Sequence, residues 1–226
     1  MTNSQDVAAS TSTSIHAQQG EAQPALVLVN LGTPTAPEPG PVRAFLREFL
    51  SDRRVIEMSP LLWKPILEGI ILRVRPREVA AKYRSIWMEE GSPLMHYTRE
   101  QARRLGERLP GVRVEVAMRY GQPSIGSVLD CLHADGVRRV AILPAYPQYA
   151  ASTVTTINDA VAQWIGRNRD GFEMRLHRSF PAAPAYIEAL AIALERHWER
   201  VGRPNFLTGD RVVVSFHSIP VAMDEA

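Results

Sequence analysis

The stretch ALVLVNLGTP at residues 25–34 decides the fold class that this sequence predicts. The run is apolar up to Leu31 except for Asn30, and Gly32-Thr33-Pro34 ends it. A short apolar run closed by turn residues is typical of a strand buried on both faces of a parallel sheet. Pro41 then begins a predicted helix with its apolar residues on one face. The pattern indicates the first strand and helix of an α/β fold.

Strands and helices alternate along the rest of the chain. Apolar or alternating segments predict further strands at 112–120, 137–143, 174–177 and 212–216. Helical periodicity lies at 98–109, 123–135, 153–167 and 185–201. Because strands that alternate with helices form parallel sheets with helices on both faces, the sequence predicts a doubly covered parallel sheet.

The segment 61–74 differs from the other helical stretches. Its apolar residues cover more than one face of a helix. Three arginines lie at its end or directly after it, at Arg73, Arg75 and Arg77. By composition, a buried core helix is the favoured interpretation. The alternative is an exposed apolar lip, formed by the same residues, that contacts a hydrophobic ligand or a membrane surface.

Composition and charge exclude several classes of protein. The formal net charge is +2, which is too weak a basic bias to indicate a nucleic-acid partner. No apolar run reaches the roughly 18 residues of a transmembrane helix. The single cysteine, Cys131, excludes an intrachain disulfide and fits a reducing compartment, so we expect a cytoplasmic location. Residues 1–23 are rich in Ser, Thr, Ala and Gln, and we expect them to form a disordered leader.

Ligands of open parallel sheets bind outside the carboxyl ends of the strands. The residues at the predicted ends are Leu31, Arg119 with Tyr120, Tyr146, and His217. This aromatic, basic and imidazole-bearing set suits a large flat anionic ligand better than a nucleotide. The glycine patterns of nucleotide-binding loops, zinc-binding motifs and the G-x-S-x-G motif are all absent from the sequence. Position alone does not establish that His217 is catalytic.

Six segments of the chain, in order, resemble the ferrochelatase family. SFHSIP at 215–220 is similar to the family signature S-[AF]-H-S-[LI]-P. The others resemble the family's opening strand, its first helix, the segment at the porphyrin mouth and two further blocks, at 28–34, 45–52, 82–94, 118–121 and 146–149. The resemblance extends from residue 26 to residue 220.

The resemblance implies both a fold and an activity. The implied fold is chelatase-like, with two Rossmann-like parallel-sheet domains and a porphyrin cleft between them. The first domain is expected at 24–172, and the second begins at 173 and is incomplete at 226. The implied activity is the insertion of ferrous iron into protoporphyrin IX to form protohaem, the last step of haem biosynthesis. The alternative is a fragment that binds porphyrin or haem without catalysis.

Site residues also follow from the resemblance. His217 is implied as the catalytic residue, either as a base for a pyrrole proton, as a metal ligand for the incoming iron, or as both. A neutral imidazole suits both roles, because its ordinary pKa is about 6.5 and it is a good ligand for ferrous iron. The implied porphyrin-binding residues are Leu31, Tyr83, Arg84, Ser92, Arg119, Tyr120 and Tyr146.

The sequence departs from the family at two points. The family pairs its catalytic histidine with an acidic residue far downstream, and this sequence ends at Ala226, before that position. Some relatives carry an iron–sulfur cluster with a cysteine just after the 146–149 block, where this chain has Ala150 and Ala151, so no cluster is expected. The expected partners are ferrous iron and protoporphyrin IX as substrates, with transient membrane-surface contact through 61–74.

Overall fold

The computed structural model describes residues 23–219, and its centre is one parallel sheet. The four strands are β1 (Ala25–Gly32), β2 (Arg113–Tyr120), β3 (Arg139–Pro144) and β4 (Glu173–Leu176). They lie in the order β2-β1-β3-β4, and each neighbouring pair is parallel. Leu28 of β1 is in register with Val116 of β2 and Leu143 of β3. This sheet confirms the predicted α/β fold class.

Residues 23–219 contain seven α-helices. They are α1 (Pro39–Leu50), α2 (Pro60–Ile66), α3 (Leu72–Ile86), α4 (Pro93–Arg108), α5 (Ile125–Ala134), α6 (Thr156–Arg167) and α7 (Pro184–Val201). Turns of π-helix precede α3 and α6, at Leu67–Ile71 and Ala151–Thr155, and a 3-10 turn follows α7 at Phe206–Thr208. A proline in the first turn begins α1, α2, α4 and α7, where its missing N–H costs no hydrogen bond.

Two apolar cores hold the helices against the sheet. One packs α5 and α6 around Trp164, whose indole N–H donates a hydrogen bond of 2.7 Å to Asp130. The other joins α1 and α3 to the end of β2 through Phe45, Leu72 and Tyr120. Because Tyr120 is the last residue of β2, the second core reaches the carboxyl edge of the sheet.

The ends of β1 and β2 approach each other closely at Gly32. Its φ angle is +110°, a conformation that residues with a side chain rarely adopt. A Cβ atom at this position would lie 1.8 Å from the carbonyl oxygen of Tyr120. Glycine therefore allows β1 to end against β2 and to turn toward Thr33.

The segment 61–74 is not the buried core helix that its composition favours. It runs through α2 and a π-helical turn into α3, and Leu61 and Leu62 are 87% and 66% exposed. Leu67 and Leu72 are buried. Because a surface helix turns only one face to the core, apolar residues on its other faces remain in solvent. We call residues 61–74 the lip, and its contact with an apolar ligand or a membrane surface stays a prediction.

The strand predicted at 212–216 is not formed. Residues 210–219 are neither helix nor strand, and Val213 and Phe216 are 87% and 75% exposed. A strand needs a neighbouring strand to satisfy its backbone hydrogen bonds. None of the four described strands pairs with this segment, so its apolar residues remain in solvent.

The expected division into domains at 24–172 and 173–226 stays a prediction. β4 begins at Glu173 and pairs with β3 in the sheet formed by the preceding residues. Residues 1–22, which make up nearly all of the predicted leader, lie outside the described residues. Among residues 23–219, no helix has the length and apolar character needed to cross a membrane.

Candidate functional site

Four polar side chains meet at the carboxyl end of β2. Asp52, which follows α1, accepts hydrogen bonds from Arg119 Nη2 at 2.5 Å and from the Tyr120 hydroxyl at 2.9 Å. Thr156 Oγ1, in the first turn of α6, donates to the same carboxylate oxygen at 2.5 Å. Arg119 Nε also donates to the carbonyl oxygen of Thr156 at 2.8 Å. This network fixes two predicted site residues, Arg119 and Tyr120, against α6.

The network combines an anionic acceptor with neutral hydroxyl donors. Burial raises the pKa of Asp52, but hydrogen bonds from Thr156 and from the Arg54 amide lower it. Bonding by Tyr120 and the charge of Arg119 lower it further, so the pKa lies below its ordinary value. Burial raises the pKa of Tyr120, which keeps its hydroxyl protonated. The guanidinium carbon of Arg119 lies 4.5 Å from the centroid of the Tyr120 ring.

Aromatic side chains continue from Tyr120 toward α3. The ring of Phe49 stands edge-on to Tyr120 with the two centroids 5.1 Å apart. Phe45 stacks on Phe49 at 6.0 Å and meets Tyr83 edge-on at 6.5 Å. Leu31 packs against the same cluster. Three predicted site residues, Leu31, Tyr83 and Tyr120, thus share one apolar cluster at the carboxyl edge of the sheet.

Ser92 is buried at the carboxyl end of β1. It is the N-cap residue of α4, and its Oγ accepts a hydrogen bond of 2.8 Å from Thr33 Oγ1. Both residues are buried. Because Ser92 acts as the acceptor toward Thr33, its own hydroxyl proton remains available for a further acceptor.

Arg84 lies near the carboxyl end of α3 with an exposed side chain. Its Nη1 donates a hydrogen bond of 3.1 Å to the carbonyl oxygen of Pro37, in the loop between β1 and α1. Its neighbour Tyr83 is half-buried, and burial raises the pKa of that hydroxyl. Arg84 and Tyr83 each carry a donor suited to a carboxylate, although consecutive residues of a helix do not face the same way.

Tyr146 follows β3 and packs against the core around α5 and α6. Its hydroxyl is buried without a hydrogen-bond partner among residues 23–219, and burial raises its pKa. The side chain is half-buried. Electrostatic interaction with Tyr120 also raises the pKa of Tyr146, so this phenol lies near the cluster that contains Tyr120.

His217 is separate from the other predicted site residues. Its ring is exposed, and Nδ1 lies 2.6 Å from the carbonyl oxygen of Ser218. Among the hydrogen bonds, ion pairs and ring contacts of residues 23–219, none joins His217 to the residues at the ends of β1, β2 and β3. A catalytic or metal-binding role for His217 stays a prediction.

Sequence reasoning missed Asp52, Thr156 and Thr33. Asp52 and Thr156 are 104 positions apart, so no local pattern joins them. Asp52 had one signal, since it is the last residue of the 45–52 block that resembles the family. Thr33 was noted as a turn residue, and its contact with Ser92 arises from the fold.

The described part of the site has the chemistry of a binding surface. Within residues 23–219, no group of three or more His, Cys, Asp or Glu side chains could hold a metal ion. The accessible part of the apolar cluster comes from the half-buried Leu31, Phe49 and Tyr83, because Phe45 and Tyr120 are buried. The guanidinium groups of Arg84 and Arg119 add positive charge at the same edge of the sheet. Such a surface is suited to a flat apolar ring system that carries carboxylates.

Comparison with known proteins gives a consistent family match. The sequence model of the family described as Ferrochelatase matches residues 23–226. A protein named Ferrochelatase from Methylibium petroleiphilum is 48% identical over 209 residues, which cover 91% of this chain and 56% of the relative. One of the same name from Stenotrophomonas maltophilia is 46% identical over 196 residues, covering 87% of this chain and 59% of the relative.

A third curated relative matches equally well by sequence identity, whereas the solved structure that matches is much less similar. Ferrochelatase 1 of Shewanella oneidensis is 46% identical over 201 residues, covering 87% of this chain and 59% of the relative. The chain therefore spans less than two thirds of the length of these curated relatives. Among solved structures, a CbiX protein of cobalamin (vitamin B12) biosynthesis from Marinobacter aquaeolei matches with a TM-score of 0.44 and 14% identity, covering 80% of this chain and 100% of that chain. That structural similarity is too low to support a statement about function.

Proposed function

The chain belongs to the ferrochelatase family, and we propose that it forms the first part of an enzyme that inserts ferrous iron into protoporphyrin IX. The product is protohaem, and the step is the last of haem biosynthesis. The observation that carries the proposal is the family match over residues 23–226. It is supported by the half-buried side chains of Leu31 and Tyr83, which pack on the apolar core around the fully buried Tyr120 and remain partly accessible to a macrocycle.

In this proposal the porphyrin rings contact Leu31, Tyr120 and Tyr146. The macrocycle must be distorted before its nitrogen lone pairs can receive a metal ion, and that distortion costs free energy. Binding of the remote parts of the substrate supplies this free energy. Apolar contacts around the ring edges therefore serve catalysis as well as affinity.

The propionates of the porphyrin bind to polar groups at the rim. Arg84 supplies a charge, Tyr83 a neutral hydroxyl and Ser92 a hydroxyl proton that Thr33 leaves available. Hydrogen bonds between charged groups and carboxylates are the stronger class, so Arg84 makes the largest polar contribution. Arg119 lies nearer to the sheet and contacts the macrocycle itself.

His217 performs the chemical step in the proposed reaction. The free-base porphyrin loses two inner protons, the iron loses bound water, and four nitrogen–iron bonds form. An exposed imidazole can accept a proton or bind the iron. The curated relatives are longer, with 56% to 59% of their length matched. We propose that the remaining residues supply the acidic partner of His217 and the other wall of the cleft.

The direct test uses a completed chain, in which residues 1–226 are joined to the unmatched remainder of the Methylibium petroleiphilum relative. The completed chain should convert protoporphyrin IX and ferrous iron into protohaem, measured by absorbance under anaerobic conditions. Residues 1–226 alone should bind the porphyrin and insert iron poorly. Absence of both binding and turnover in the completed chain would contradict the proposal.

A second candidate function is porphyrin or haem binding without catalysis. It is supported by the separation of His217 from the strand-end residues in residues 23–219. Spectral titration of residues 1–226 with protoporphyrin, with and without ferrous iron, separates the two candidates. A spectral shift without metallation, repeated in the completed chain, favours the binding function.

The lip is proposed to contact a membrane surface transiently. Leu61, Leu62 and Ile70 are exposed, and Lys64 and Arg73 carry positive charge on the same segment. Apolar residues among basic ones suit the surface of an anionic bilayer. This contact agrees with a cytoplasmic location, which the single cysteine also supports.

Vesicle sedimentation tests the membrane contact. Residues 1–226 should sediment with phosphatidylcholine vesicles that contain phosphatidylglycerol, and less with vesicles that lack it. The double variant Leu61→Ser/Leu62→Ser should lose this binding. Leu207→Ser is the matched control, because Leu207 is an exposed leucine outside the lip. Equal binding by both variants would exclude the lip as the contact surface.

A further inference from the structure

Asp52 has an unusual number of donors for a residue outside the predicted site. Its Oδ2 accepts from Arg119 Nη2, the Tyr120 hydroxyl and Thr156 Oγ1, at 2.5, 2.9 and 2.5 Å. Its Oδ1 accepts from the amide of Arg54 at 2.8 Å. One carboxylate therefore joins the loop after α1, the end of β2 and the start of α6.

The ion pair between Asp52 and Arg119 is largely shielded from solvent. The side chains of Asp52 and Arg119 are 9% and 19% exposed. A shielded, hydrogen-bonded ion pair keeps a fixed geometry, because neither charge can exchange its partner for water. Surface ion pairs lack this property, since water replaces the partner.

The orientation of the Arg119 guanidinium is set from two sides. Nε donates to the carbonyl oxygen of Thr156 at 2.8 Å, and Nη2 donates to Asp52. Nη1 takes part in no hydrogen bond described for residues 23–219. The guanidinium is thus held with its Nη1 group available to donate a hydrogen bond to an external acceptor.

We propose that Asp52 is a positioning residue, which holds the Arg119 guanidinium in the orientation that binds the porphyrin. The inference rests on the proposed function, since it names the residue that orients one of its substrate contacts. Asp52 does not touch the substrate. It acts through Arg119, and its charge keeps the guanidinium at the edge of the sheet.

A nearby ion pair provides a matched control. Arg54 and Asp159 form a two-pronged pair that joins the same loop to the same helix, with Arg54 Nη2 at 3.1 Å from Asp159 Oδ1. Both side chains are more than 40% exposed, and neither bonds to Arg119. Asp159→Asn therefore weakens the loop-to-helix connection without releasing Arg119.

A double-mutant cycle on residues 1–226 tests the inference by fluorescence titration with protoporphyrin IX. Asp52→Asn and Arg119→Ala should each weaken binding by roughly tenfold, the size expected for one charge-assisted hydrogen bond. The double variant should bind no more weakly than Arg119→Ala, because Asp52 acts through Arg119. Asp159→Asn should bind like the wild type. Additive losses in the double variant would overturn the positioning role.

The orientation of Arg119 is measured separately from porphyrin binding. The Nη2–H resonances of Arg119, the group that donates to Asp52, should be resolved in a ¹⁵N-correlated NMR spectrum of the wild type and of Asp159→Asn. They should collapse toward the solvent-averaged position in Asp52→Asn. Unchanged resonances overturn the role of Asp52, and a wild type that binds no porphyrin overturns the proposed function instead. If Asp52→Asn does not fold, Asp52→Glu serves in its place, since it keeps the charge but displaces the guanidinium.

Discussion

Thr33 Oγ1 donates a hydrogen bond of 2.8 Å to Ser92 Oγ across 59 positions of sequence. Thr33 directly follows β1, and Ser92 is the residue at the N-cap position of α4, so the bond joins the end of a strand to the start of a helix. Both residues are buried, and bulk water cannot replace either partner. The bond thereby fixes the position of a proposed propionate contact.

Ser92→Ala should lower the free energy of unfolding by about 1–3 kcal/mol, because it leaves the buried Thr33 hydroxyl without its partner. Urea unfolding of residues 1–226 measures the change. Thr33→Val/Ser92→Ala removes both hydroxyls and should be more stable than Ser92→Ala alone. A double variant that is less stable than the single one would show that the bond is not the cause.

Gly32→Ala should destabilise the protein by at least about 3 kcal/mol, because its Cβ would clash with the Tyr120 carbonyl and its φ is unfavourable. Gly166→Ala is the matched control in α6, where a Cβ meets no atom within 4 Å. It should raise the stability by up to about 1 kcal/mol. Thermal unfolding compares the two, and equal effects would contradict the close approach at Gly32.

The order and type of most elements follow from the sequence. The apolar run at 25–31 predicts a strand, and β1 forms there with most of its residues buried in the sheet. The amphipathic pattern at 185–201 predicts a helix, and α7 forms there. The segment 212–216 has the same apolar character as β1 but forms no strand. The hydrophobic pattern of a segment indicates which of its side chains can be buried. Formation of a strand also requires a neighbouring strand with free backbone hydrogen-bonding groups. The sequence pattern contains no information about that partner.

The candidate site is only partly predictable for a related reason. Position at a strand end identifies Arg119 and Tyr120, since the sheet brings these ends together. The carboxylate that orients them comes from a loop and the hydroxyl from a helix, at Asp52 and Thr156. Contacts between distant polar residues leave no periodic signal, so the three-dimensional structure is needed to find them.

The Asp52 pKa predicts a pH dependence of stability. Because the pKa is lowered in the folded state, the carboxylate contributes stability above its unfolded value of about 3.9 and loses it as the pH falls through the folded value. Asp52→Asn should therefore be less stable than the wild type near neutral pH. The difference should shrink as the pH falls from about 5 to about 2, measured by urea unfolding. A constant difference across this range would contradict the assigned charge state.

Arg84→Ala should weaken protoporphyrin binding by about fivefold, because it removes one exposed charge from the proposed propionate contacts. In the completed chain it should raise KM for porphyrin more than it lowers kcat. Lys82→Ala is the control on the same helix, since Lys82 pairs with Glu78 at the surface. An unchanged affinity in Arg84→Ala would remove Arg84 from the site.

The most direct test of the central claim is iron insertion by the completed chain carrying His217→Ala. The account predicts at least about a hundredfold loss of turnover, the usual scale for a missing proton acceptor, with the porphyrin affinity unchanged. His177→Ala is the control, because His177 is also an exposed histidine and follows β4. It should retain turnover. Near-wild-type iron insertion by His217→Ala would contradict the account.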